Sequence, residues 1–189
     1  QQFAGWLGTA ELAAFAIAFQ LLTISFMVAV GIGSATAVRV GIAYGRGDMR
    51  DVALAAWTGL GLSMIANALL GIGIVLFASS ITEVFTHDVA VLAMAVPLIF
   101  WVALALVTDG GQAVIANALR GRQDVWAACI MQALAFLGVM VPLTWILAFP
   151  AGNGAAGLFQ GVLIAATVSI FLLGARLHQL YVSDTRASA

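Results

Sequence analysis

The sequence contains no lysine, and its seven basic residues are all arginine. They form no cluster of the kind that neutralises phosphates, so nucleic acid is excluded as a partner. A single cysteine, Cys129, rules out an internal disulfide and any Cys-x-x-Cys redox or metal pair. Only 8% of the 189 residues are charged, against about 25% in a typical soluble domain. Their place is taken by apolar side chains, at 63% of the chain, and mean hydropathy is +1.12. A soluble globular fold is excluded on these figures. No basic region followed by a cleavage site opens the chain, which starts at Gln1; it reads as a piece of a longer protein rather than one with a signal peptide.

The apolar residues fall into five runs of membrane-spanning length, about 20 residues or more. They extend roughly from Leu12 to Tyr44, Val52 to Ser79, Asp88 to Arg120, Val125 to Phe149 and Ala155 to Leu180. Barrel strands would alternate apolar and polar residues with period two, and these runs are apolar on both phases. The expected fold is an all-α integral membrane protein, a polytopic bundle of five helices. Residues 1–10 read as the remnant of a preceding helix and outer loop, 11–181 as the five-helix lobe, and 182–189 as a tail.

The few charges set the direction. Arg39, Arg46 and Arg50 flank the first interhelical loop, Arg120 and Arg122 the third, and Arg176 and Arg186 the last helix and tail. Every arginine therefore lies on one side of an alternating topology, which the positive-inside rule makes cytoplasmic. The C-terminus is expected on that side, and Glu83, His87 and Asp88 in a solvated outer loop. Abundant Ala, Gly and Arg without Lys fits a GC-rich bacterial genome, hence the inner membrane.

One acid does not fit this sorting. Asp109 lies eleven residues before Arg120, about 16 Å along a helix rising about 1.5 Å per residue. That places it near the middle of a hydrocarbon core about 30 Å thick, where an ionised carboxylate costs at least about 2.5–3.5 kcal/mol. It must be protonated, paired, or facing water or a cation. Helical spacing puts Gln112, Ala113, Ala116 and Arg120 on its face, with Asn117 on the flank. This is a narrow polar stripe padded with small side chains, suited to lining a cavity. Gly110-Gly111 follow, and their carbonyls are candidates to help ligate a cation. The functional reading is a switch neutralised by H⁺ or by Na⁺, with Asp109 the candidate Na⁺ ligand. The competing reading is a structural pairing with a basic group or hydroxyl on another helix.

Other features are mainly about packing. Gly33, Ala37 and Gly41 form a small-xxx-small ridge on the first span, and Gly59, Ser63, Gly71 and Gly73 do likewise on the second. Pro97 and Pro142 lie inside spans, where each frees a carbonyl and permits a bend. Asn67, Gln132 and Gln160 suit hydrogen bonds between helices, and Arg39 can snorkel to the surface. Met27, Met64, Met94, Met131 and Met140 offer either an adaptable apolar surface for varied ligands or ordinary packing. No constellation for nucleophilic catalysis or metal-assisted hydrolysis is visible, so the expected function is not enzymatic.

Taken in order, several stretches resemble one family. Gly5-Trp6-Leu7-Gly8-Thr9-Ala10-Glu11-Leu12 is similar to the opening of the eighth helix of MATE (multidrug and toxic compound extrusion) transporters. Val38-Arg39-Val40-Gly41 with Tyr44-Gly45-Arg46-Gly47-Asp48 resembles the end of that helix and the next cytoplasmic loop. Asp109-x-x-Gln112, leading to Leu119-Arg120-Gly121-x-x-Asp124, resembles the tenth helix and its exit. Pro142 and Gly154-x-x-Gly157-Leu158-Phe159-x-Gly161 resemble helices eleven and twelve. The chain departs from the pattern at Phe15, where the family often has His, and at Phe159, where it often has Trp.

This resemblance implies a secondary antiporter that expels small organic, amphipathic cations in exchange for H⁺ or Na⁺ and needs no other cofactor. It implies two six-helix lobes around a central cavity, and this chain is most of the second lobe; Gln112, Ala113, Ala116, Asn117 and Met27 are the candidates to line that cavity. Asp109 matches the tenth-helix acid associated with cation coupling. The implied partners are membrane lipid and an N-terminal lobe that is missing from this sequence. Two alternatives compete: a lipid-linked precursor flippase of the same superfamily, and a non-transporting truncated membrane protein. The flippase would need arginines in its cavity for a pyrophosphate head group, whereas these arginines cluster at helix ends.

Overall fold

Residues 9–150 and 152–187 are described by the computed structural model, and they contain helices and turns but no strand. The proposed remnant over residues 1–10, the Gly5 to Gly8 motif included, falls outside this range except for its last two residues. Helix α1 spans Thr9–Gly45, α2 Met49–Leu76, α3 Ala78–Phe85, α4 Val89–Gly121 and α5 Val125–Ala133. A π-helical segment, Leu134–Met140, joins α5 to α6 (Val141–Ala148), and α7 covers Gly154–Ala187. Five helical stretches are long and apolar enough to cross a membrane, with α5, the π segment and α6 forming the fourth. Lipid offers backbone groups no hydrogen bonds, so apolar runs of this length close their own as helices. The chain is a polytopic membrane bundle.

Two turns at the arginine-rich end are built alike. After α1, Gly47 takes φ +74° and the Asp48 N–H returns to the Ala43 carbonyl at 3.1 Å. After α4, Gln123 takes φ +70° and the Asp124 N–H returns to the Leu119 carbonyl at 2.9 Å. A left-handed residue just past a helix end lets the chain fold back on the last carbonyls. Asp48 then accepts the Asp51 N–H at 2.9 Å and caps α2. Asp124 instead accepts from Arg176 Nε at 2.8 Å, while Arg122 Nη2 donates to Asp184 at 2.6 Å. These two pairs clamp α7 to the turn, and the buried Arg122 also lies 5.7 Å over the Tyr44 ring. Arg39 is exposed as expected, 3.9 Å from Asp51. Replacing Asp184 with Ala is expected to cost about 1–1.5 kcal/mol, the ordinary worth of one hydrogen bond with part of its charge facing solvent. A thermal midpoint no lower than that of Arg186→Ala would count against the clamp.

Helix α4 is the central one, packed against α1, α2 and α7. The sequence ridge on α1 meets it directly. Gly33 faces Asn117, and Gly121 leaves no room for a β-carbon against the Ala37 backbone. Gly59 packs on Thr36 and Gly71 on Ala103, whereas Gly31 and Gly73 face open space. One apolar cluster, including Phe15, Leu98, Leu106 and Phe159, fills the end remote from the arginines. A second, including Val40, Leu60, Ile115 and Leu173, fills the arginine-rich end. Between them lie the buried polar residues Ser63, Asn67, Gln112 and Ser169.

The structure departs from the sequence reading in three places, one of them the last helix, which runs on to Ala187 and takes in most of the expected tail over 182–189. The second span stops at Leu76, where Phe77 turns to φ −105° and ψ 17°, and Ala78–Phe85 forms a separate short helix instead of loop. That helix buries Ala78 and Thr82, one turn apart, and exposes Val84 and Phe85. The fourth span is not a uniform helix: the Val141 N–H bonds the Phe136 carbonyl, five residues back, just ahead of Pro142. Proline lacks an N–H and crowds the preceding turn, and a wider turn accommodates both. Pro97, by contrast, lies within an unbroken α4.

Candidate functional site

Asp109 sits in the polar layer, half-buried on α4. One turn on, Gln112 is buried and donates from Nε2 to Asp109 Oδ1 at 3.0 Å. The Gln112 Oε1 atom accepts twice, from Gln132 Nε2 of α5 at 3.2 Å and from Ser169 Oγ of α7 at 3.1 Å. Gln132 Oε1 in turn accepts from Arg120 Nη2 at 3.0 Å. A chain of side chains thus joins the mid-helix acid to the arginine at the helix end. It holds three helices together through one glutamine.

On the other side of α4, Asn67 of α2 fits against Gly110, where a β-carbon would stand 2.6 Å from its Nδ2 atom. Asn67 Nδ2 donates to the Ser63 carbonyl at 2.9 Å and approaches Ser63 Oγ at 3.3 Å. Its Oδ1 atom is buried without a hydrogen-bond partner among the described residues. Gly110 and Gly111 therefore serve close approach. They do not open the helix, because α4 continues through both, and their carbonyls stay in its backbone ladder rather than turning toward a cation.

The remaining sequence candidates are scattered. Ala113 is buried, and Ala116 is sealed in the apolar cluster at the arginine-rich end, so its small side chain serves packing and lines no cavity. Asn117 is half-buried and donates to the Ala113 carbonyl at 3.0 Å. Met27 is exposed on α1, apart from the hydrogen-bonded chain. Gln132 bridges helices as its type suggested, whereas Gln160 pairs with Asn153 at 3.0 Å. Ser169 belongs to no motif in the sequence; its only signal there is a hydroxyl in an apolar helix at the depth of Gln112. The two residues that depart from the family pattern touch: the Phe15 and Phe159 rings lie 5.2 Å apart. Among the described residues, no three His, Cys, Asp or Glu side chains gather to hold a metal. What the site holds is one carboxylate joined through two amide side chains to the guanidinium of Arg120.

The chain is similar to known proteins in sequence and in fold. A sequence profile of the MatE family matches residues 1–146. A probable multidrug resistance protein NorM from Brucella suis biovar 1 (strain 1330) is 34% identical over 191 residues, covering 97% of this chain and 41% of that protein. The protein of the same name from Xanthomonas axonopodis pv. citri (strain 306) is 36% identical, covering 93% of this chain and 38% of the relative. The fold superposes on the crystal structure of the Vibrio cholerae MATE transporter VcmN in its bent form with a TM-score of 0.86 at 16% identity, covering 97% of this chain and 41% of the other. The chain spans about two-fifths of the length of the proteins it matches.

Proposed function

This chain belongs to the MatE family, and on that basis we propose that it forms the second lobe of a secondary antiporter. The antiporter expels amphipathic organic cations across a bacterial inner membrane in exchange for H⁺ or Na⁺, with the arginine-rich end and the C-terminus in the cytoplasm. The observation that carries the reading is Asp109, a half-buried carboxylate midway along the central helix whose hydrogen-bond partner is the neutral Gln112. A carboxylate held in this setting responds to whatever neutralises it, and an exported cation competes for the same charge. H⁺ or Na⁺ is cargo here, moved in one direction as the drug moves in the other: a proton would bind a carboxylate oxygen and leave it again, and no bond within the exported compound changes. Alternating access then moves this lobe against its partner lobe as Asp109 is loaded and emptied.

The arginines support this substrate class over a lipid pyrophosphate. Arg46, Arg122 and Arg176 are each engaged by an aspartate at the helix ends, away from the depth of Asp109. The test is efflux of ethidium from efflux-deficient cells that express the intact transporter containing this chain. Efflux is expected to run while a proton or sodium gradient is imposed and to stop when both are collapsed. Undiminished efflux without either gradient would remove ion coupling from the proposal.

A further inference from the structure

The hydrogen-bonded chain from Arg120 to Asp109 has a direction set by its ends. A guanidinium can only donate, so Gln132 must turn its oxygen toward Arg120 and its Nε2 group onward. That Nε2 group needs an acceptor and finds Gln112 Oε1, which also accepts a hydrogen bond from the Ser169 hydroxyl. The Gln112 Nε2 group is left to face Asp109, which when ionised can only accept. Each of the three links along the chain therefore points from the positive end to the negative one, and neither amide can reverse without setting donor against donor. We propose that Gln112 and Gln132 are positioning residues that transmit the charge state of Asp109 to α5.

The far end of the chain is able to respond. Helix α5 is thinly packed, with Ala128 its one buried side chain. Gln132 is its penultimate residue, immediately ahead of the π segment that separates it from α6. Gln132 thus pins a half-helix next to a non-uniform stretch of backbone, and such stretches recur at moving sites. Loading Asp109 with a proton or Na⁺ removes the charge from one end. The Gln112 link then falls from charge-assisted to neutral strength, about half, and the hold on α5 loosens. Other ionisable residues on the surrounding helices stand toward their ends: Glu11, Arg39 and Tyr44 on α1, Arg50 and Asp51 on α2, Glu83 on α3, and Arg176, His178, Tyr181, Asp184 and Arg186 on α7, while Cys129 lies one turn before Gln132 on α5. Asp109 is the acid at the depth of Gln112.

The inference rests on Asp109 as the coupling group, and the sole cysteine supplies a probe for both. Cys129 is exposed on α5, three residues before Gln132. A nitroxide attached there, on the chain in lipid nanodiscs, reads α5 mobility, while the infrared carboxyl band follows Asp109 itself and is identified by its loss in Asp109→Asn. As Asp109 titrates or takes Na⁺, the spectrum should shift from the immobile toward the mobile component, because the Gln132–Gln112 bond loses the strengthening it drew from its charge-assisted neighbour. Gln132→Leu and Gln132→Glu, neither of which can donate to Gln112 when the Glu is ionised, should abolish that response; Arg120→Lys, still only a donor, should retain it. A band that titrates while the nitroxide is unmoved overturns the relay and leaves the coupling reading intact. A response that survives in both Gln132 variants also overturns it. A carboxyl band insensitive to both pH and Na⁺ removes the coupling group, and the relay falls with it.

Discussion

Asp109→Asn is expected to lower gradient-driven efflux by about 100-fold, near the upper end of coupling energies between sites, while the protein still folds and inserts. The substitution is nearly isosteric, and the new amide oxygen can still accept from Gln112 Nε2, the bond that now measures 3.0 Å. What is lost is the ability to alternate between a charged and a neutral state. Folding should not suffer, because an ionised carboxylate at this depth costs at least about 2.5–3.5 kcal/mol and the amide avoids that cost. Efflux and thermal midpoint should therefore separate: the first falls, the second holds or rises. A variant that pumps normally would show that the carboxylate is structural, and one that fails to insert would show that its charge is needed for assembly rather than for transport.

The largest effect on stability is expected at Gly157. A β-carbon there would stand 2.5–2.7 Å from the carbonyl carbon and oxygen of Leu147 and the nitrogen of Ala148. Those are backbone atoms of α6, so no side chain can turn aside and the two helices must separate. Gly161, one turn on, faces Thr144, whose side-chain methyl would overlap a β-carbon and whose backbone nitrogen and α-carbon would stand 3.0 Å away. Overpacking of this kind costs about 1–3 kcal/mol, occasionally more, and Gly157→Val should cost more than Gly157→Ala. Gly138 provides the contrast. Nothing lies within 4 Å of a β-carbon there, so Gly138→Ala should be neutral, or gain up to about 0.5–1 kcal/mol from reduced chain entropy. Thermal unfolding of the three variants in one detergent decides the matter, and equal losses at positions 138 and 157 would refute the packing argument.

Much of this was readable from the residues. Apolar runs this long have one way to satisfy their backbone in lipid, so the five spans emerged with small errors at their ends. Asp109 stood out because charge is so scarce around it, and its turn-mate Gln112 followed from helical spacing. The limits were physical too. Spacing along one helix cannot show which neighbour covers a face: Ala116 shares the stripe with Asp109 yet is packed shut by the arginine-end cluster. Contacts between distant parts of the chain left no local trace. Arg122 and Asp184 are 62 residues apart in sequence, and Ser169 and Gln112 are 57 apart. A glycine pair reads equally as exposed carbonyls or as close approach, and only the position of Asn67 decided it.

The π segment also settles an issue of phase. Ala128 and Ala135 are buried on the first half of the fourth span, and Thr144 and Ala148 on the second. Nine residues separate Ala135 from Thr144. On a regular α-helix, at about 100° per residue, that places the two halves about half a turn out of step. Wider turns advance less per residue, and a seven-residue π segment takes up much of the difference. Both halves can then face the bundle, the first through Gln132 against α4 and the second through Thr144 against α7. A designer who regularised this helix into ideal α geometry at constant length would rotate one of those faces out into lipid.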